Sequence, residues 1–366
     1  MALTTPGSPD GPARRGSLDW LRGLAVLVMI EAHVVDAWTQ PADRAGRVFG
    51  DALILGGFGA PMFLFLAGIA IVLAASGRVR RGASVAEAAA ASRARGWQIF
   101  GLAFLFRAQA WVLGFGAPIA SVLKVDILNV MGPAMAAAAT AWGLARRPST
   151  RLLWLGLGAA AVALLTPIVR AAGPLAAIPD PIEWYLRPSP GRTTFTLFPW
   201  AGFVFAGAAV GVLLDAGRDG VADRRLHGAF AGAGPVLALV GYGLSFLPPI
   251  YRETNFWTSS PTFFLLRTGI LITLLPLAWA WERRPSRAAH GEGWLETFGR
   301  SSLFVYWIHV EMVYGVISTP LHRTLPLRGV AVSYVLFTAF LYVLVRLKND
   351  LVARRASADR RQPTAV

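Results

Sequence analysis

An apolar segment near the start of the chain carries ionisable side chains along one face. Residues 17–38, SLDWLRGLAVLVMIEAHVVDAW, are apolar enough to span a bilayer. On a helix Asp19, Arg22, His33 and Asp36 would fall on one stripe. Arg22 and His33 would be about three turns, or ~16 Å, apart, roughly half of a hydrocarbon core. Because ionisable groups inside a membrane are costly and by default mark functional sites, the stripe predicts a membrane enzyme that works across the bilayer.

The composition is typical of a polytopic membrane protein. Of 366 residues, 55% are apolar and 15% are charged, whereas soluble domains carry about 25% charged residues. The formal charge of +15 comes from arginines between apolar segments, which argues against nucleic-acid binding. The absence of cysteine excludes disulfides, thiolate metal sites and an acyl-cysteine intermediate. Since no metal-ligand spacing is present, we expect no metal and no tightly bound cofactor.

The hydropathy pattern predicts an all-α bundle of about ten transmembrane helices in a lipid bilayer. We expect residues 1–16 to form a disordered cytoplasmic tail, 17–346 a transmembrane domain and 347–366 a basic cytoplasmic tail. Arginine-rich loops alternate with arginine-poor loops along all the segments, so the positive-inside rule places both termini in the cytoplasm. The predicted spans are 17–38, 52–75, 96–115, 126–145, 151–170, 195–214, 229–248, 261–281, 300–318 and 328–346.

Six ionisable residues fall at a similar depth in these spans. Together with Asn129 they outline a polar cavity open to the outer side, since each is costly unless it is paired or hydrated. The alternative is that they form ion pairs that hold helices together. We assign Asp126, Asn129 and Glu311 to substrate binding. The six residues are His33, Arg107, Asp126, Arg267, His309 and Glu311.

His33 is the strongest candidate for a catalytic residue. The pKa of an imidazole, about 6.5, suits a general base near neutral pH. Asp36, one turn outward on the same face, is placed to fix the His33 tautomer. Glu31 faces the opposite side of the helix and is expected to pair with another helix. His309, one turn after Tyr306, is either a second catalytic residue or a hydrogen-bonded packing residue.

A second group of candidates lies on the cytoplasmic side. Arg22 lies in an apolar run on the His33 face, next to Asp19, and the planar donors of a guanidinium suit phosphate groups. Arg93, Arg95 and Arg300 flank nearby span ends and are candidates for the same role. Ordinary positive-inside charge is the alternative explanation, and it accounts for most of these arginines.

Two outward loops are rich in aromatic residues. Residues 171–194 contain Trp184, and residues 249–260 contain Trp257. Loops of this kind often carry binding residues, so both tryptophans are candidates for substrate binding. Anchoring of the loops at the membrane interface explains them equally well.

Five segments resemble one superfamily of membrane enzymes. SLDWLRGLAVLVMIEAH contains R-x10-H, from Arg22 to His33, and resembles the opening of the transmembrane acyltransferase superfamily, which includes the acyltransferase-3 proteins. GGFGAPMFLFLAGIAIVLA, KVDILNVMG, FTLFPWAGFVFAGAAVG and FGRSSLFVYWIHV are similar, in the same order, to its bacterial heparan-α-glucosaminide N-acetyltransferase-like branch. The resemblance covers most of residues 14–346. It implies a cytoplasmic acyl-CoA donor such as acetyl-CoA, an extracytoplasmic sugar or glycan acceptor, a bacterial cytoplasmic (inner) membrane, and His33 as the catalytic residue.

One departure from this branch concerns the acceptor. The lysosomal heparan enzyme has its key histidine in the loop before the second span, whereas TQPADRAGRVFGDALILGG contains none. O-acylation and N-acylation of a sugar are therefore equally open. Arg107 or Arg267 would stabilise the oxyanion that forms on the acyl carbonyl. The acyl group would pass to the acceptor either directly or through an acyl-histidine intermediate. A transporter or flippase that uses the charged cavity as a substrate path is the alternative class.

Reporter fusions test the ten-span topology. Fusions after Gly82 and Arg187 should report opposite sides of the membrane, because three predicted spans separate the two positions. Cytoplasmic and extracytoplasmic reporters, compared at each position, provide the measurement. The same side at both positions would show that the span count is wrong.

Overall fold

The computed structural model describes residues 15–114, 116–284 and 293–359, and these residues form a helical bundle. The all-α class is confirmed for this part of the chain. The helices are α1 (Gly16–Trp38), α2 (Arg47–Gly56), α3 (Gly59–Arg80), α4 (Val85–Leu113), α5 (Ile127–Leu144), α6 (Pro148–Ala171), α7 (Asp180–Leu186), α8 (Leu197–Ala216), α9 (Gly220–Leu244), α10 (Pro261–Glu282), α11 (Trp294–Arg300), α12 (Ser302–Tyr314) and α13 (Leu327–Asp359).

The chain is an integral membrane protein, but fewer helices qualify as spans than the sequence predicts. Within the described residues, seven segments are long and apolar enough to cross a membrane, with α2 and α3 counted as one. All ten predicted spans contain helix. Those that do not qualify are α1, which carries several charges, the polar α4, and α12, which has 13 residues. The ten-span topology therefore stays a prediction.

The two predicted tails fare differently. Residues 1–14 of the predicted N-terminal tail lie outside the described residues. The predicted C-terminal tail is helical as far as Asp359, because α13 continues without a break from the membrane segment. Lys348 on this extension donates from Nζ to Ser301 Oγ at 2.9 Å, so the extension packs against the junction of α11 and α12.

A local sequence signal explains where α5 begins. Asp126 and Asn129 form a capping box that starts α5, in which the Asp126 backbone N–H donates to Asn129 Oδ1 at 3.0 Å. The long loop before α8 is held against this helix start. Val125 N–H donates to Arg192 O, and Thr194 N–H donates to Val125 O, both at 2.9 Å.

Glycines allow two pairs of helices to approach closely. A Cβ built on Gly207 of α8 would lie 1.9 Å from the Phe65 carbonyl oxygen of α3, and one on Gly68 would lie 2.0 Å from the Val204 oxygen. The same holds between α1 and α11, where a Cβ on Gly299 would lie 1.9 Å from the Asp19 oxygen. Small residues at such contacts are what lets membrane helices pack backbone to backbone.

Gly207→Ala should therefore destabilise the bundle by forcing α3 and α8 apart. Overpacking of this kind costs about 1–3 kcal/mol, which should appear as a lower melting temperature in detergent. Gly156→Ala is the matched control, because nothing lies within 4 Å of a Cβ at that position in α6. Equal melting temperatures of the two variants would contradict the close contact.

Candidate active site

Two histidines from opposite ends of the chain meet inside the bundle. His33 on α1 and His309 on α12 approach to 2.8 Å between His33 Nδ1 and His309 Nε2. Their rings are nearly parallel, with an angle of 11° and 5.0 Å between centroids. The sequence predicts both residues at a similar depth, but not their direct contact.

The hydrogen bonds around the pair fix where the protons lie. His309 Nδ1 is 2.8 Å from the Val305 carbonyl oxygen, which can only accept. A neutral His309 therefore carries its proton on Nδ1 and offers the Nε2 lone pair to its partner. His33 must then donate from Nδ1 to His309 Nε2. This leaves the lone pair of His33 on Nε2.

The two rings differ in exposure. His309 is fully buried, whereas His33 is partly exposed. Among the described residues, His33 Nε2 has no hydrogen-bond partner. The pair therefore presents one unshared imidazole lone pair from a buried, hydrogen-bonded support, which is the arrangement that a general base requires.

The prediction that Asp36 holds the His33 tautomer is wrong. Asp36 is exposed and accepts hydrogen bonds from Arg44 Nη2 at 3.0 Å and from the Tyr314 hydroxyl at 3.2 Å. Its influence on His33 is indirect, because the Tyr314 ring packs edge-on against the imidazole at 5.5 Å. His309 occupies the role that the sequence suggests for Asp36.

Further polar residues extend the pair toward α4 and α5. The Tyr306 ring lies 6.0 Å from the His309 ring, and its side chain is within hydrogen-bonding reach of Asp126. Arg107 Nη1 lies 4.0 Å from Asp126 Oδ2. Arg107 Nε also donates to the Ser121 carbonyl at 3.4 Å. We call the connected residues His33, His309, Tyr306, Asp126 and Arg107 the outer polar cluster.

Glu311 and Asn129, both predicted to bind substrate, lie beside this cluster in different states. Glu311 Oε1 is buried with no hydrogen-bond partner in the described chain, and the charge of Arg107 acts on it. Asn129 is fully buried, and local contacts hold both ends of its amide: Oδ1 accepts in the capping box of α5 and Nδ2 donates to the Tyr185 hydroxyl at 3.3 Å. The structure therefore accounts for Asn129 as a packing residue and leaves Glu311 available.

The two loop tryptophans also separate. Trp184 on α7 is buried against Val125 and Val130, so it packs the loop onto the start of α5. Trp257 is 51% exposed and packs edge-to-face against Phe263, with 5.1 Å between ring centroids. Of the two, only Trp257 presents a free face to a ligand.

Two titratable groups in the outer loops border the cluster. Burial lowers the pKa of Lys124, and the nearby charge of Arg107 lowers it further, whereas Asp126 raises it. Burial raises the pKa of the Tyr185 hydroxyl, and its hydrogen bond with Asn129 partly opposes this shift by lowering the pKa. Lys124 is thus a second cation close to Arg107 and Asp126, and no pattern in the sequence pointed to it.

Arg267 contacts residues outside the outer polar cluster. Its guanidinium carbon lies 4.0 Å from the centroid of the Phe263 ring, with Phe58 at 5.7 Å and Trp200 at 5.9 Å. Of the six ionisable residues predicted to share a polar cavity, four belong to the outer polar cluster and Glu311 lies within reach of the charge of Arg107. Arg267 makes no direct contact with them among the described residues, and the shared cavity stays a prediction.

Glu31 does not pair as the sequence suggests. Its Oε2 is buried against the turn between α2 and α3, where a Cβ on Gly56 would lie 3.0 Å away. Among the described residues this oxygen has no hydrogen-bond partner. The predicted ion pair between α1 and another helix is therefore absent at this position in the described chain.

The candidates that the sequence predicts on the cytoplasmic side form a second group, at the N-terminal end of α1. Arg22 Nη1 lies 2.8 Å and Arg300 Nε 3.7 Å from the carboxylate of Asp19, whose side chain is almost fully buried. Lys348 approaches from α13 through its contact with Ser301. Because α1 is one continuous helix, the predicted ~16 Å axial separation of Arg22 and His33 holds.

Arg93 and Arg95 do not join this group through a described contact. Both lie on α4, where Arg95 is exposed and donates to Gln98 Oε1 at 3.5 Å. The structure thus brings together three of the five cytoplasmic candidates, namely Asp19, Arg22 and Arg300.

Comparison with known proteins agrees with this architecture. A search of curated proteins finds no match. The family model described as heparan-alpha-glucosaminide N-acetyltransferase, catalytic, matches residues 14–246, from just before α1 to just after α9 and well over half of the chain. The chain therefore belongs to the heparan-α-glucosaminide N-acetyltransferase catalytic family of membrane acyltransferases.

Proposed function

We propose that this protein transfers an acetyl or other short acyl group from cytoplasmic acyl-CoA to a hydroxyl or amine of an extracytoplasmic sugar or glycan. The observation that carries the proposal is the His33–His309 pair, which leaves a lone pair on His33 Nε2. Membership of the acetyltransferase family supports the reaction class. The site of action would be the cytoplasmic (inner) membrane of a bacterium, with ten spans and both termini in the cytoplasm.

His33 would act as the general base. As the acceptor oxygen or nitrogen attacks the thioester carbonyl carbon, its proton passes to His33 Nε2. The new C–O or C–N bond forms and the C–S bond breaks. The proton then leaves on the CoA thiolate, which regenerates neutral His33. His309 would hold the ring in place by accepting from Nδ1 throughout.

The same lone pair would serve a two-step route. Here His33 Nε2 attacks the thioester itself, and CoA first leaves as the thiolate. The acceptor then attacks the acyl carbon, the bond to Nε2 breaks, and the proton that the acceptor loses protonates the thiolate. Both routes pass through an oxyanion on the acyl carbonyl. Arg107 is the better placed cation for this charge, because it belongs to the outer polar cluster and its contact with Asp126 is long, at 4.0 Å.

The donor would enter from the cytoplasmic end of α1. Arg22, Arg300 and Lys348 converge there from three helices, which concentrates positive charge where the phosphates of CoA would bind. The pantetheine arm would then follow α1 toward His33 over the ~16 Å that separates the two groups. Neither hydroxyl nor amine acceptors are favoured by the residues around His33.

Replacement of His33 tests the catalytic role. His33→Ala should reduce acyl transfer by about 10²–10⁴, the usual loss for a general base, while acetyl-CoA affinity stays unchanged. The measurement is release of CoA thiol by purified protein with added acceptor sugars. His322→Ala is the matched control, since this histidine contacts Ser318 and the Val313 carbonyl and not the cluster.

Near-normal turnover in folded His33→Ala would remove His33 from the mechanism. Movement of a sugar across proteoliposome membranes without consumption of acetyl-CoA would instead support the transporter class.

Replacement of Arg22 tests the donor site. Arg22→Ala should weaken acetyl-CoA binding about 10- to 100-fold, because a hydrogen bond to a charged group is worth roughly 1.5–3 kcal/mol. Arg22→Lys should recover part of the affinity, since the charge remains but the planar fork is lost. Isothermal titration calorimetry provides the affinities. Arg95→Ala is the control, because Arg95 is an exposed arginine on α4. Unchanged affinity in Arg22→Ala, or loss in Arg95→Ala instead, would move the donor site to another basic loop.

A further inference from the structure

Arg267 on α10 is a buried cation without a counter-ion in the described chain. Only 9% of the residue is exposed. Its Nε is fully enclosed and has no hydrogen-bond partner. No carboxylate of the described residues lies within ion-pairing distance, and the neighbours of the guanidinium are the rings of Phe263, Phe58 and Trp200.

Other arginines of the membrane region are satisfied differently. Arg170 at the outer end of α6 donates to the Phe198 carbonyl from Nε at 3.2 Å and from Nη2 at 3.0 Å, and to Thr196 Oγ1 at 3.1 Å. Arg107 has Asp126 and a carbonyl. A charge without such partners in a low-dielectric bundle is expensive, and cation–π contacts offset only part of that cost.

The position of Arg267 connects it to the outer polar cluster without placing it inside. Trp200, whose ring lies 5.9 Å from the guanidinium carbon, also packs against the small apolar cluster of Val125, Val130 and Trp184 at the start of α5. On another side, a Cβ on Gly57 would lie 3.1 Å from Arg267 Nη2, and the adjacent Gly56 abuts Ala32, the neighbour of His33. The guanidinium therefore borders the turn between α2 and α3, which itself contacts α1 next to His33.

We propose that Arg267 binds an anionic group of the acceptor, so that the acceptor is an acidic sugar or a phosphate-bearing glycan. The identification of the ligand as the acceptor rests on the proposed function, whereas the anion site itself does not. A carboxylate or phosphate at Arg267 supplies the missing counter-charge through bidentate hydrogen bonds. The aromatic rings exclude water around that contact, and the exposed Trp257, which packs edge-to-face against Phe263, extends them to the protein surface.

The test compares an anionic sugar with its neutral counterpart. Radiolabelled glucuronate and glucose are bound to the full chain in phosphatidylcholine nanodiscs. The wild type should bind glucuronate at least about tenfold more tightly than glucose, as a charge-assisted contact requires. Arg267→Met should lose this difference, and Arg267→Lys should keep part of it. Arg170→Met is the matched control and should keep the full preference.

A second arm distinguishes a soluble anion from a lipid headgroup. Nanodiscs that contain phosphatidylglycerol replace the first set. Loss of glucuronate binding there in the wild type would identify a lipid phosphate as the occupant and support a lipid-linked acceptor. Unchanged binding would support a soluble acidic sugar.

Stability separates binding from packing. Because Arg267 lacks a polar partner, Arg267→Met should leave the melting temperature unchanged or raise it, whereas Arg170→Met should lower it by removing three hydrogen bonds. A lower melting temperature in Arg267→Met, with the glucuronate preference retained, would overturn the proposal in favour of a structural role. Equal affinity of the wild type for glucuronate and glucose in both nanodiscs would also overturn it.

Acetyl-CoA affinity of the same samples separates this proposal from the preceding one. Wild type that binds acetyl-CoA but shows no preference for the anionic sugar contradicts the anion site alone. Wild type that shows an anion preference lost in Arg267→Met, but neither binds nor consumes acetyl-CoA, contradicts the acyltransferase reaction and keeps the anion site.

Discussion

The close contact between α1 and α11 determines where the functional groups meet. Gly299 leaves no room for a side chain against the Asp19 backbone, and Gly23 leaves none against Leu295. With that contact fixed, Arg300 reaches Asp19 near the N-terminus of α1. The chain then continues from α11 into α12 and carries His309 to the depth of His33. One helix crossing thus aligns both the basic group and the histidine pair along α1.

The sequence predicts the helical architecture well because hydropathy alone identifies most apolar segments. It also predicts the spacing of Arg22 and His33, since both lie on one uninterrupted helix whose geometry is known in advance. It does not predict the partner of His33. Asp36 is closer in sequence, but side-chain direction carries it to Arg44 and Tyr314, and the residue that meets His33 is 276 positions away.

Residues that depend on contacts between helices are hard to predict for the same reason. In the sequence Asn129 resembles a binding residue, yet its side-chain amide is held by the capping box and by the Tyr185 hydroxyl. His309, Arg300 and Arg267 all lie beyond residues 14–246, where the family match ends. The matched part therefore contributes His33, Arg107 and Asp126. The remainder of the chain contributes His309, which holds the His33 ring, and the cations Arg267 and Arg300. Neither part forms the site alone.

The two arginines of the outer half illustrate what decides the role of a buried charge. Arg107 has two long polar contacts, with Asp126 at 4.0 Å and the Ser121 carbonyl at 3.4 Å, so it has partners before a ligand arrives and its charge can still turn to a transient oxyanion. Arg267 is surrounded by rings that offer only their faces. A cation in that environment gains most from a carboxylate or phosphate, which carries its charge for as long as the ligand is bound. An oxyanion forms only briefly and would leave the cation unpaired for most of the catalytic cycle. The same side-chain type at a similar depth is therefore suited to chemistry in one position and to recognition in the other.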